Sequence, residues 1–332
     1  MPSPGPVVEQ SALLESLLHR IGPRFSRTEP RNRARSFVHG ILSGPARKNG
    51  WTLAEFAGES DPNGMQRLVT TARWDVDGVR DDLRDWVLER AGDVRDAVLI
   101  PTELGFPKKG TGSVGVHRQY NRLAGRTENV QLGLFLGVAF AGRWALVDRE
   151  LYLPRAWTAD PQRCRRLGVP EGVGFATRPQ LARLLVERAL GWPGPRAWVA
   201  AGDGYGEDSG LRSWLDRQGV RYVLATRHPG HGGPRGGEPG WTRIPTGEER
   251  GWENALLVHR TPTGTGYFHC RTRPGTATGE LVRVAGLIAA APGRTARTCA
   301  ALGLDQYQVR RYDAWYRYLT LCLVAGAYLA VR

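Results

Sequence analysis

Near residue 96 the apolar pattern of the chain changes period, and this change most limits what it can fold into. Before it, apolar residues recur at helical spacing, as Leu13, Leu14, Leu17 and Leu18 do within Ser11 to Ile21. Arg31, Arg33 and Arg35 lead into a helix carrying Phe37 and Ile41. PARKNGWTLAEFAG turns into a short helix near Thr52, Asp61 and Pro62 introduce GMQRLVTTARW, and Asp75 to Ala91 is amphipathic. After the change, Ala97 to Ile100, Ser113 to Tyr120, Val130 to Ala141 and Arg143 to Leu151 are Val-, Leu- and Phe-rich or alternate as strands do. A helix over Arg178 to Leu190, a buried strand over Trp198 to Ala201, a helix over Leu211 to Gln218 and a strand over Tyr222 to Ala225 follow. Beyond the glycine-rich loop His228 to Gly240, two more strands are expected, Asn254 to His259 and Gly266 to Arg271, and then a helical end. The order β-β-β-α-β-α-β specifies an α/β fold, a mixed sheet flanked by helices. We therefore expect an all-helical unit over residues 1–95, a sheet-bearing core over 96–332, and a β insertion at about 227–272.

Charge narrows the partners. The 332 residues carry a net charge of +14, almost all of it arginine, and the pI is near 10.3. Such an excess points to a polyanion, most often DNA, held through its phosphates. The contacts expected are Arg31, Arg33, Arg35, Arg47 and Lys48 in the helical part, with Lys108 and Lys109 beyond it. Cys164, Cys270, Cys299 and Cys322 form no CxxC pair, which argues against structural zinc or a disulfide framework and fits a reducing cytoplasm. The first ten residues lack the marks of a signal peptide. Trp315 to Val331 is apolar but interrupted by Arg317, so a buried helix is expected there, not a membrane span. A homodimer is left open.

Val98 to Tyr120 reads as an apolar strand that breaks at Pro101, a basic turn with Lys108 and Lys109, and an alternating segment. Two readings stay open for it: a phosphate-holding loop and an ordinary hairpin. The glycine-rich loop at His228 has no GK[ST] ending and is no P-loop.

Several blocks in order add a resemblance. LGFPKKGTGSVGVHRQY, TENVQLGLFL, DRELYLPRAWT, GVGFATRPQLA, YGEDSGLRSWL, LVRVAG and GLDQYQVRRYDAWYR, with EPRNRAR and RKNGWTLAEFAG upstream, resemble the DDE-superfamily transposases of bacterial insertion sequences, in the branch numbered seven hundred and one. The resemblance runs from about residue 20 onward and implies a ribonuclease H-like core. It also implies three carboxylates holding two divalent metals roughly 4 Å apart, Mg²⁺ being the usual ion. In this chain the three positions fall on Thr102, Gly202 and Pro292. Glu103 and Asp203 are the neighbouring substitutes, although Glu103 should face the opposite side of its strand from Thr102. Pro292 and Gly293 should break their helix.

No cofactor is therefore expected unless that chemistry survives through Glu103 and Asp203. The leading reading is a transposase-derived, DNA-binding or regulatory protein that has lost strand transfer. A second is a scaffold repurposed as an enzyme on an anionic small molecule, its cleft rimmed by Glu103, Lys108, Lys109, His117, Arg118, Tyr120, Asp203 and Tyr205. A third is an active metal-dependent transposase.

Overall fold

The computed structural model describes residues 6–43, 47–121, 124–193, 197–228 and 238–332. Most of the glycine-rich loop after His228 lies outside the described residues. Five helices come first: α1 (Pro6–Ile21), α2 (Thr28–Ser43), α3 (Gly50–Phe56), α4 (Asn63–Thr70) and α5 (Val76–Leu88). Asn49 opens α3 with a capping box shared with Thr52, and the Asp75 carboxylate opens α5 by accepting the Gly78 N–H.

Among the described residues nine strands form one sheet: β1 (Val98–Pro107), β2 (His117–Asn121), β3 (Arg126–Phe140), β4 (Arg143–Leu151), β5 (Trp198–Ala201), β6 (Tyr222–Thr226), β7 (Gly240–Glu249), β8 (Trp252–Thr261) and β9 (Gly264–Thr272). They lie in the order β2-β3-β1-β5-β6-β9-β8-β7, and β4 also pairs with β3. The pairs β1–β5 and β5–β6 are parallel and the others antiparallel. Between β4 and β6 the chain forms α6 (Arg155–Thr158), α7 (Pro161–Arg166), α8 (Arg178–Leu190), α9 (Asp203–Gly206) and α10 (Ser209–Gln218). After β9 come α11 (Thr278–Leu302) and α12 (Tyr312–Val331).

Side-chain alternation assigns the two faces of the sheet. Val98, Ile100, Trp198, Ala200 and Val223 pack with Leu281, Val284 and Ala285 of α11. Leu99, Val199, Ala201 and Leu224 belong to a larger core that also holds Leu185 and Val186 of α8. That core continues through α1 to α5 and α12. Among the described residues α12 is the one helix long and apolar enough to cross a membrane, yet 78% of its apolar window is buried in the protein. It packs on α2, α4, α5 and β4.

Three local expectations are corrected. β1 does not break at Pro101. The strand has already left β5 after Leu99, so one of its edges is unpaired where the proline's missing N–H would matter. α11 runs unbroken through Pro292, which is exposed, so water can serve the carbonyl one turn earlier that loses its amide partner. The segment expected as a strand from Ser113 begins only at His117. Val114 and Val116 are instead buried in the preceding turn, and the Val114 N–H donates to the Arg310 carbonyl.

Candidate functional site

At the parallel centre of the sheet, β1 and β5 deliver Thr102 and Gly202. Thr102 is 7% exposed and turns toward α11, where its Oγ1 lies 3.2 Å from Thr295 Oγ1. Thr295 also donates to the Ala291 carbonyl at 2.8 Å. A Cβ at Gly202 would meet nothing within 4 Å. Pro292 does not join them, because the side of α11 that meets Thr102 carries Ala291 and Thr295 and leaves Pro292 in solvent. Two hydroxyls bonded to each other and a glycine do not fit a pair of hard divalent cations, which take carboxylate oxygens. Among the described residues, no group of three or more His, Cys, Asp or Glu side chains is placed to hold a metal.

Glu103 leaves β1 on the other face. Its Oε2 lies 3.1 Å from Arg178 Nη1, and its Oε1 accepts from the Tyr205 hydroxyl at 2.7 Å. These residues line a cleft of about 410 Å³ together with Tyr152, Phe175 and Asp203. The Arg155 guanidinium covers Phe175 from 4.1 Å. Asp203 is 3.6 Å from Arg227. Of the expected rim, then, Glu103, Asp203 and Tyr205 come together, whereas Lys108, Lys109, His117, Arg118 and Tyr120 do not line this cleft. Lys109, His117, Arg118 and Tyr120 are exposed in the β1–β2 turn and on β2. Lys108 lies with its ammonium 3.7 Å above the Tyr307 ring, and burial lowers its pKa to about 8.

The basic residues of the helical segment separate into bound and available groups. Arg33 pairs with Glu59 at 2.9 Å and with Glu29, and Arg35 pairs with Glu15 at 2.6 Å. Arg31, exposed, donates to the Phe25 carbonyl at 3.3 Å, and Arg47 is exposed. The Lys48 ammonium, expected on phosphate, is taken instead by the carbonyls of Ile41 (2.7 Å) and Ala301 in the last turns of α2 and α11. A cation there satisfies carbonyls that a helix end leaves open, and burial lowers its pKa. Sequence reasoning passed over Arg27, Arg67 and Arg73. With Arg33 and Glu29 they line a depression of about 440 Å³ beside α4. For Arg67 and Arg73 the signal was present in GMQRLVTTARW, where Met65, Leu68 and Val69 are buried and Gln66, Arg67 and Arg73 exposed.

A mixed sheet with a parallel centre, helices on both faces and a late strand insertion is the plan of a ribonuclease H-like nuclease core. Comparison with known proteins agrees: residues 20–236 match the DDE superfamily endonucleases, and the chain belongs to that family. The likeness extends to the probable transposase for insertion sequence element IS701 of Microchaete diplosiphon. That protein is 28% identical over 193 residues, 58% of this chain and 48% of the relative. The chain thus spans about half the length of the curated relative it matches.

Proposed function

We propose that this transposase-family protein holds DNA in the cytoplasm without carrying out metal-dependent strand transfer. The observation that carries the reading is the Thr102–Thr295 pair. The position beside β1 where a carboxylate would meet metal is closed by two hydroxyls satisfying each other across the sheet–helix interface. A buried polar pair with its bond made is a packed solution, not the residue of random damage. Support for DNA comes from the net charge of +14 and from Arg27, Arg67 and Arg73, which have no carboxylate partner among the described residues. Two assays on the full chain test this. Band-shift titration against duplex DNA should show binding at low salt that weakens steeply as salt rises; no shift at any salt rules out DNA binding. Supercoiled plasmid with Mg²⁺ or Mn²⁺ should stay intact, and nicking abolished by Asp203→Asn would establish an active nuclease instead.

The Glu103–Arg178–Tyr205 group supports a second reading, an anionic small molecule bound at Arg178 in the open 410 Å³ cleft. An anion must displace the Glu103 carboxylate from Arg178, so Glu103→Gln should tighten its binding and Arg178→Ala abolish it. A crystal soak that leaves the cleft empty of anions would count against the idea.

A further inference from the structure

We propose that α4 is a recognition helix that reads base edges in the major groove of duplex DNA. The inference rests on the DNA-binding reading above and names the element and residues that would supply sequence preference. Asn63, Gln66, Arg67 and Thr70 follow the i, i+3, i+4, i+7 spacing of a single helix face. The first three are exposed and Thr70 half-exposed, while Gly64, Met65, Leu68 and Val69 are buried behind them. The side chains of Asn63, Gln66 and Arg67 have no hydrogen-bond or ion-pair partner among the described residues; their N–H and C=O groups are left for a ligand. Thr70 uses its proton on the Gln66 carbonyl at 2.7 Å and keeps its lone pairs. These are the side chains whose donor and acceptor pairs match base edges, the amides on adenine and the guanidinium on guanine. An eight-residue helix is about 12 Å long, close to the width of the major groove.

The surroundings fit the same occupant. α3 precedes α4 through residues 57–62, which bend at Gly58, whose φ is +74°, and α2 packs on both, so α4 is held on a small helical base. A Cβ at Gly50, the first residue of α3, would stand 3.1 Å from the Gln66 side chain, so the start of α3 abuts the reading face. Arg47 is exposed just ahead of it, where a phosphate strand would run. On the other flank the depression is lined by Arg27, Arg67 and Arg73, with Arg33 already paired to Glu29 and Glu59. Nearby acids are engaged: Glu59 holds Arg33, and the Asp61 carboxylate accepts the Asn63 N–H at 2.7 Å. The helix is also firmly seated. The Trp74 indole donates to the Leu68 carbonyl at 3.1 Å, and Arg317 of α12 donates to the Thr70 carbonyl at 2.6 Å. Gly64 lets the Arg33–Glu59 pair lie against α4, since a Cβ there would come within 2.3 Å of Arg33.

Selection from a random-sequence duplex pool with the full chain, followed by titration of the selected and a scrambled duplex, tests the assignment. The wild type should enrich a motif. Gln66→Ala and Arg67→Lys, which keeps the charge and loses the planar fork, should each lose about tenfold or more of the preference for the selected duplex. Their affinity for the scrambled duplex should stay within about threefold, while Arg73→Ala should weaken both duplexes alike. Duplex binding without any enriched motif, or a preference unchanged in both variants, overturns the assignment and leaves the DNA-binding reading standing. Failure to bind any duplex overturns both.

Discussion

The hydroxyls of Thr102 and Thr295 are not equivalent, and their difference is measurable. Thr295→Val leaves the buried Thr102 hydroxyl without a partner and should cost about 1–3 kcal/mol, read as a lower urea midpoint. Thr102→Val leaves Thr295 its bond to Ala291 and should cost less. The double variant should lose less than the sum of the two, because no orphaned hydroxyl remains. Lys108 gives a pH-dependent test. Its folded pKa of about 8 lies below the ordinary 10.5. Between those values the unfolded chain binds more protons than the folded one, so this group's contribution to stability rises with pH across that window. Urea unfolding at pH 7 and pH 9.5 should show that rise in the wild type and a smaller one in Lys108→Met.

At the scale of elements, the tie between α5, β4 and α8 is ionic as well as apolar. Asp148 on β4 is fully buried, accepts two bonds from Arg188 of α8 at 2.8 and 3.1 Å, and lies 3.8 Å from Arg80 of α5. Asp148→Asn leaves those arginines without their shared carboxylate. Arg188 keeps Glu150 at 2.7 Å and Arg80 keeps Asp77 and Asp81 at 3.0 Å, so the change should destabilise by about 1–3 kcal/mol and lower the midpoint of thermal unfolding. Elements of this kind were legible in the sequence when their own period declared them. β5, β6 and α8 follow from short apolar runs and a capped 3.6-residue pattern. β7 was not legible, because GWTRIPTGEE is mostly exposed and takes its form from pairing with β8. The continuity of β1 through Pro101 and of α11 through Pro292 was hidden for a related reason. A proline's cost depends on whether its missing N–H faces a partner, and the sequence does not say where partners lie. Within the candidate site, strand alternation placed Glu103 opposite Thr102 correctly. The role of Lys48 was out of reach, since one of its carbonyls, that of Ala301, is 253 residues away.

Over the whole molecule, the helices before β1 share a core with α12, down to the edge-on packing of Phe37 against Tyr318 at 5.7 Å. Residues 1–95 expressed alone should therefore lack a stable fold, giving weak helical circular dichroism and fast amide exchange. Adding α12 in trans should restore part of the signal. The same arrangement has a consequence for synthesis. Arg317, which holds the end of α4, follows Thr70 by 247 residues. At about 5–20 residues per second on the ribosome, the opening helices wait roughly 12–50 s for the segment that completes them. Over that interval their apolar faces are open to chaperones and proteases. A message cut short before α12 would then yield a chain in which those faces are never covered.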